Sequence, residues 1–174
     1  YRKARTEDVG DFESVMAWLQ EKMPEDIATC VIHNDYRFDN AVLNPDNPFE
    51  VIGILDWEMA TLGDPLMDLG NSLAYWVQAD DDQFFQMLRR QPTHRPGMMT
   101  REEVVAYYME RSGYHVENFD FYEVYGLFRL AGIVQQIYYR YYHGQTKDKR
   151  FAGFGQAANY LEQRCRKLIE KSTL

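Results

Sequence analysis

The stretch Val31-Ile32-His33-Asn34-Asp35-Tyr36-Arg37-Phe38-Asp39-Asn40 decides how this chain is read, together with Ile54-Leu55-Asp56-Trp57-Glu58. The first segment spells H-x-D-x-x-x-x-N after a short β-prone run from Thr29 to Ile32. The second closes an apolar run on a carboxylate. Between them, Ala41-Val42-Leu43 and the run from Phe49 to Leu55 flank Asn44-Pro45-Asp46-Asn47-Pro48, a composition that predicts a tight turn. The two runs read as a hairpin. It returns Asp56 to the end where Asn40 enters.

An Asp just past a strand can project into a cleft and accept a hydrogen bond from a substrate hydroxyl, which is the role this pattern suggests for Asp35. Asn40 offers a neutral amide oxygen and Asp56 an anionic one, both hard ligands of the kind magnesium prefers. Phosphoryl transfer asks a protein mainly for positioning and charge neutralisation. Mg²⁺ and ATP are therefore the expected cofactor and co-substrate. His33 reads as a hydrogen-bonding brace for the loop rather than an acid or base. Taken singly, each residue has an ordinary reading, since Asp and Asn near turns satisfy loop backbone groups. Asp39 can cap the loop or pair with Arg37. Glu58 either neighbours metal and substrate or is a surface residue. The combination in order is what points to chemistry.

With Leu62-Gly63-Asp64-Pro65-Leu66-Met67-Asp68-Leu69 added, the segment from Val31 to Gly70 resembles the catalytic core of the aminoglycoside phosphotransferase-like (phosphotransferase enzyme) family, which shares the protein-kinase-like fold. Within that family it is most similar to the branch found fused to, or beside, acyl-CoA dehydrogenases. The resemblance implies that Asp35 is the catalytic base or hydroxyl orienter and that Asn40 and Asp56 bind magnesium. It implies that Asp68 buttresses the loop from the following helix. Asn34 departs from the glycine common at its position. No Gly-rich phosphate loop occurs, nor a strand-borne Lys paired with a helix Glu; Lys3 and Lys22 have the wrong context. Residues 1–174 are thus expected to be a C-terminal, catalytic and substrate lobe, with the N-terminal nucleotide lobe preceding Tyr1. Alone, such a lobe should bind ATP weakly and turn over little.

The stretch from Asp56 to Pro65 is short and no A-P-E follows, unlike the peptide platform that protein kinases carry. A small-molecule hydroxyl acceptor is therefore expected, bound between the loop and the helices from Thr100 onward, with Gln135, Tyr138 and Tyr141 as candidate lining. An acyl-CoA-linked hydroxy acid is one acceptor the resemblance implies. Two other classes stand beside this one. A non-catalytic kinase-like binding module would fit a degenerate site, but Asp35, Asn40 and Asp56 are all present. A metal-dependent hydrolase would combine His33, Asp35 and Asp56 with His94, His115 or His143, yet these histidines lack metal-site spacing.

The rest of the chain predicts an α+β, mainly helical domain, with a small β element near the start and four or five helices around it. Asp8 or Asp11 can cap a helix running to about Lys22. Asp64-Pro65 is a helix start whose stripe runs through Leu66, Leu69, Leu73, Trp76 and Val77. Asp80-Asp81-Asp82 reads as a solvated helix boundary. Thr100 to Glu103 is a capping box for a helix closing at Gly113. A long helix spans about Phe119 to Tyr142, and a last one about Gln156 to Lys171. The 174 residues suit one domain. A net charge of −8 argues against general nucleic-acid binding. The two cysteines, Cys30 and Cys165, are far apart and read as reduced thiols. No run reaches membrane-span length and no secretory h-region opens the chain, so a cytoplasmic setting is expected.

Overall fold

The computed structural model describes residues 1–174. Six α-helices and four short strands form the expected α+β, mainly helical arrangement. The helices are α1 (Glu13–Glu21), α2 (Pro65–Leu73), α3 (Gln83–Met87), α4 (Arg101–Ser112), α5 (Asp120–Tyr142) and α6 (Phe154–Lys171). The count exceeds the expected four or five because of α3, a five-residue helix too short to show periodicity. The strands are β1 (Cys30–Ile32), β2 (Ala41–Asn44), β3 (Asn47–Ile54) and β4 (Thr61–Gly63).

The strands make two separate antiparallel ribbons, β1 with β4 and β2 with β3. In the second, Ala41 faces Ile54 and Asn44 faces Asn47, so the turn at Pro45 and Asp46 sets a true hairpin. Its apolar side chains are left in solvent on both faces: Leu43, Phe49, Val51, Ile52 and Ile54 are all exposed, Phe49 at 97%.

The core lies among the helices. Phe12, Val15 and Leu19 meet Leu66, Ala74, Val77, Phe85, Leu127, Ala131, Leu161 and Cys165 there. Burial pushes the Cys165 thiol up to about 12, so it packs as an inert apolar group. At the crossing of α2 and α5, side chains give way to backbone. A Cβ on Gly70 would overlap the Tyr122 carbonyl, and one on Gly126 would overlap the Gly70 carbonyl. Only glycine permits so close an approach.

Helix starts follow the sequence closely, with one exception. Asp64 Oδ1 accepts the Leu66 amide at 2.7 Å, and Thr100 with Glu103 completes a reciprocal capping box. At α1 the N-cap is Phe12, in the left-handed region at φ 56°, and Asp11 accepts the Glu13 amide from one residue further back. Asp8 does not cap; its carboxylate accepts the Tyr138 hydroxyl at 2.6 Å. The Asp run also differs from expectation. Asp82 caps α3, but the Asp81 side chain is only 5% exposed and pairs with Arg101 and Arg164.

Candidate active site

The site is built where β1 runs out. His33 is buried and works in two directions. Its Nδ1 accepts the Asp35 amide at 3.2 Å, and Nε2 donates to the Leu55 carbonyl at 2.8 Å. An acceptor at one nitrogen and a donor at the other define a neutral ring with the proton on Nε2. The ring so joins the loop bearing Asp35 to the residue just before Asp56. Trp57 covers it, ring centroids 4.7 Å apart.

Asp68, on the first turn of α2, lies beneath the same loop. Its Oδ2 accepts the His33 amide at 2.8 Å and its Oδ1 the Asn34 amide at 2.7 Å. Both are charge-assisted bonds to backbone that no strand partner serves. Asn34 sits at φ 65°, a conformation Asn tolerates better than most residues. Its side chain also carries load, donating to the Met59 carbonyl and accepting from Asn71 Nδ2, each at 3.0 Å. The Asn at this position therefore adds two bonds that glycine could not make.

Asp35 and Asn40 are in contact. Asn40 Nδ2 donates to the Asp35 carbonyl at 2.8 Å and to Asp35 Oδ2 at 3.2 Å. The Asn40 carbonyl accepts the Leu55 amide at 2.8 Å, which brings the start of the hairpin and the chain entering Asp56 side by side. Asp56 is exposed, at φ 64° and ψ 53°, and its carboxylate has no hydrogen bond or ion pair within the protein. Asn40 Oδ1 is likewise without a protein partner, although Asn40 is buried. One free amide oxygen and one free carboxylate suit a hard cation whose remaining ligands come from a substrate. No three His, Cys, Asp or Glu side chains gather into a metal cluster. Glu58 is exposed and unpaired, in the turn after Asp56.

By sequence, Arg37 pairs only with Asp39. It reaches both acids: Nη1 lies 3.3 Å from Asp39 Oδ2, while Nε and Nη2 lie 3.1 and 3.2 Å from the two oxygens of Asp35. Its guanidinium also stands over the Tyr75 ring, 4.9 Å from the centroid. Burial, with the Asp35 charge adding to it and Arg37 opposing, raises the Tyr75 phenol above its ordinary range. Gln91 carries no signal of a functional role in the sequence. It is buried and its Oε1 accepts the Phe38 amide at 2.8 Å, pinning the loop from 53 residues away. No local signal marks such a residue. Asn71 could have been found, three positions after Asp68 on the same face of α2.

Beside the loop lies a cavity of about 290 Å³ walled by β1, the loop, α2 and α4. Ten of its fifteen lining residues are hydrophobic, among them Phe38, Trp76, Val104 and Tyr108, and Arg37 is its one cation. The cavity does lie between the loop and the helix after Thr100. The expected lining residues do not. Tyr138 is held by Asp8, Tyr141 stacks on Tyr138, and Gln135 Nε2 donates to the Ala4 carbonyl at 2.8 Å, so all three serve the N-terminal segment.

A helical lobe with this loop and hairpin defines a kinase-like phosphotransferase fold. Residues 1–103 match the Phosphotransferase enzyme family, and the chain belongs to that family. A crystal structure of a "putative aminoglycoside phosphotransferase" from Ralstonia eutropha JMP134 superposes with a TM-score of 0.82 and 28% identity, covering 100% of this chain and 53% of that one. The chain is 35% identical over 150 residues to acyl-CoA dehydrogenase family member 10 of Mus musculus, covering 85% of this chain and 14% of that protein. It is 31% identical over 153 residues to acyl-CoA dehydrogenase family member 11 of Homo sapiens, covering 86% and 19%. It thus spans under a fifth of these curated relatives. No helix is long and apolar enough to cross a membrane.

Proposed function

We propose that this chain is the catalytic lobe of an ATP-dependent kinase that phosphorylates a hydroxyl of a small molecule. One observation carries the reading. Asn40 and Asp35 are bonded to each other, yet Asn40 Oδ1 and the carboxylate of Asp56, which follows the Leu55 whose amide bonds the Asn40 carbonyl, are left without protein partners. These two residues would hold Mg²⁺, which when bound neutralises charge on the nucleotide phosphates.

Asp35 receives the acceptor hydroxyl. The acceptor oxygen bonds to the γ-phosphorus as the bond from that phosphorus to the β,γ-bridging oxygen breaks. The hydroxyl proton passes to Asp35, and ADP leaves with the electron pair of the broken bond. His33 and Asp68 do no chemistry. They keep the loop backbone in the one conformation that presents Asp35. Glu58 is placed to neighbour substrate or metal.

The cavity supports an acceptor with an apolar body, because a polyhydroxylated amine would leave its polar groups unmatched against Phe38, Trp76 and Val104. Relatives that carry acyl-CoA dehydrogenase in their names favour a hydroxylated acyl compound, such as an acyl-CoA-linked hydroxy acid. The exposed apolar hairpin supports a further proposal, that a nucleotide-covering N-terminal lobe packs on it.

The test uses the full-length protein, Mg²⁺-ATP and a panel of hydroxyacyl compounds and aminoglycosides, with ADP release and phosphorus NMR as readouts. Phosphorylation of a hydroxyacyl compound is expected. Asp35→Asn should lower turnover about 10²–10⁴-fold while keeping nucleotide binding. Unchanged turnover in that variant would remove Asp35 from the mechanism.

A further inference from the structure

We infer that Arg37 is a positioning residue, which together with Asn40 divides the Asp35 carboxylate into a held oxygen, Oδ2, and a working oxygen, Oδ1, that meets the acceptor hydroxyl. The inference rests on the reading of Asp35 given above.

The two carboxylate oxygens are not equivalent. Oδ2 accepts two hydrogen bonds, from Arg37 Nη2 and from Asn40 Nδ2, each at 3.2 Å. Oδ1 lies 3.1 Å from Arg37 Nε, yet that buried Nε–H makes no aligned hydrogen bond. Misaligned approach gains charge attraction but little directional bonding. Oδ2 is therefore saturated from two sides. Oδ1 keeps its lone pairs for a hydroxyl.

Arg37 can impose this because it is itself held. The Tyr75 ring lies against its guanidinium plane, and the Asp39 carboxylate takes Nη1 at 3.3 Å. The side chains of Arg37 and Asp35 are only 20% and 17% exposed, so the pair is shielded from the water and salt that make surface ion pairs weak. The guanidinium fork is planar, and two of its nitrogens face the two oxygens. Lysine, a single point charge, could supply the attraction but could not distinguish one oxygen from the other. Arg37 also lines the apolar cavity, so the residue that holds the Asp35 carboxylate itself faces the space proposed for the acceptor. A misplacement of about 1 Å can cost on the order of 10²-fold in rate, enough to make orientation of this one carboxylate visible in kinetics.

The experiment compares Arg37→Ala, Arg37→Lys and Asp35→Asn in the full-length protein. Readouts are kcat and KM for the acceptor, nucleotide affinity by titration calorimetry, melting temperature, and kcat with added ethylguanidine. Arg37→Ala should lose about 10²-fold in kcat with nucleotide affinity retained, and ethylguanidine should restore part of it. Arg37→Lys should lose at least about tenfold, because its charge lacks the fork. If Arg37→Ala does not fold, the Lys variant decides alone, and wild-type kcat there overturns the inference. So does a kcat loss in Arg37→Ala that ethylguanidine leaves unmoved. An active Asp35→Asn would instead sink the reading of Asp35, which separates the two failures.

Discussion

Gly126 on α5 touches Gly70 on α2 backbone to backbone, and a Cβ at position 126 would overlap the Gly70 carbonyl oxygen. The consequence reaches the site, because α2 carries Asp68 and Asn71, the residues that hold the loop from below. In Gly126→Ala the helices must separate or the backbone must bend. Overpacking of this kind destabilises by about 1–3 kcal/mol. A lowered urea midpoint is expected, with turnover falling further than the lost stability explains. A variant with both quantities unchanged would mean that the helices part at no penalty.

Asp68→Asn tests the loop support directly. The carboxylate accepts two backbone amides, and an amide side chain can accept only one, setting its NH₂ against the other N–H. Hydrogen bonds to charged groups contribute roughly 1.5–3 kcal/mol each. A loss of about 2–3 kcal/mol in chemical denaturation follows, together with at least tenfold lower turnover as the loop relaxes. Wild-type turnover in a destabilised Asp68→Asn would show that the loop holds its shape without this acceptor.

At Asn34 backbone and side chain pull apart in a measurable way. Alanine there keeps a Cβ in the left-handed region, which costs roughly 1–2 kcal/mol, and loses both side-chain bonds. Glycine loses the same bonds but is at ease at φ 65°. Asn34→Ala should therefore be less stable than Asn34→Gly by about 1 kcal/mol, with both below wild type. Equal stabilities would place the residue's value entirely in its side chain.

Local chemistry explains what the sequence disclosed. The Asn44 to Pro48 stretch marked the turn, which the structure narrows to Pro45 and Asp46, Asp64-Pro65 marked a helix start, and H-x-D with a later Asn located the loop. Distance explains what it hid. β4 pairs with β1 from 29 to 33 residues away and has no alternation of its own. Asp81 looked solvated as one of three acids in a row, because its cations arrive 20 and 83 residues later. Gln135 and Tyr138 have the composition of a pocket lining, but a helix face does not reveal which neighbour it meets. Arg37 was visible beside Asp39; that it also reaches Asp35 depends on the turn through Tyr36, which the letters do not specify.

Asp81 gives a pH signature. Burial raises its pKa, but the hydrogen bonds from Arg101 and the Gln78 amide, with the charges of Arg101 and Arg164, outweigh burial and hold the carboxyl below its usual range. The Arg101 fork reaches it at 2.7 and 2.9 Å, and Arg164 at 2.9 Å. A folded-state pKa below the unfolded value means stability fully present above the unfolded pKa and lost as pH falls through the folded one. The window therefore opens below about pH 4. Asp81→Asn should be less stable than wild type by about 2–3 kcal/mol at pH 7, a figure reduced for partial screening of the pair. The gap should close as pH falls toward 2. Because Arg101 opens α4, which walls the cavity, the variant should also show a raised KM for the acceptor. Urea midpoints at pH 7, 5 and 3 test the first part. A gap that stays constant across them would show that Asp81 contributes through its shape and not its charge.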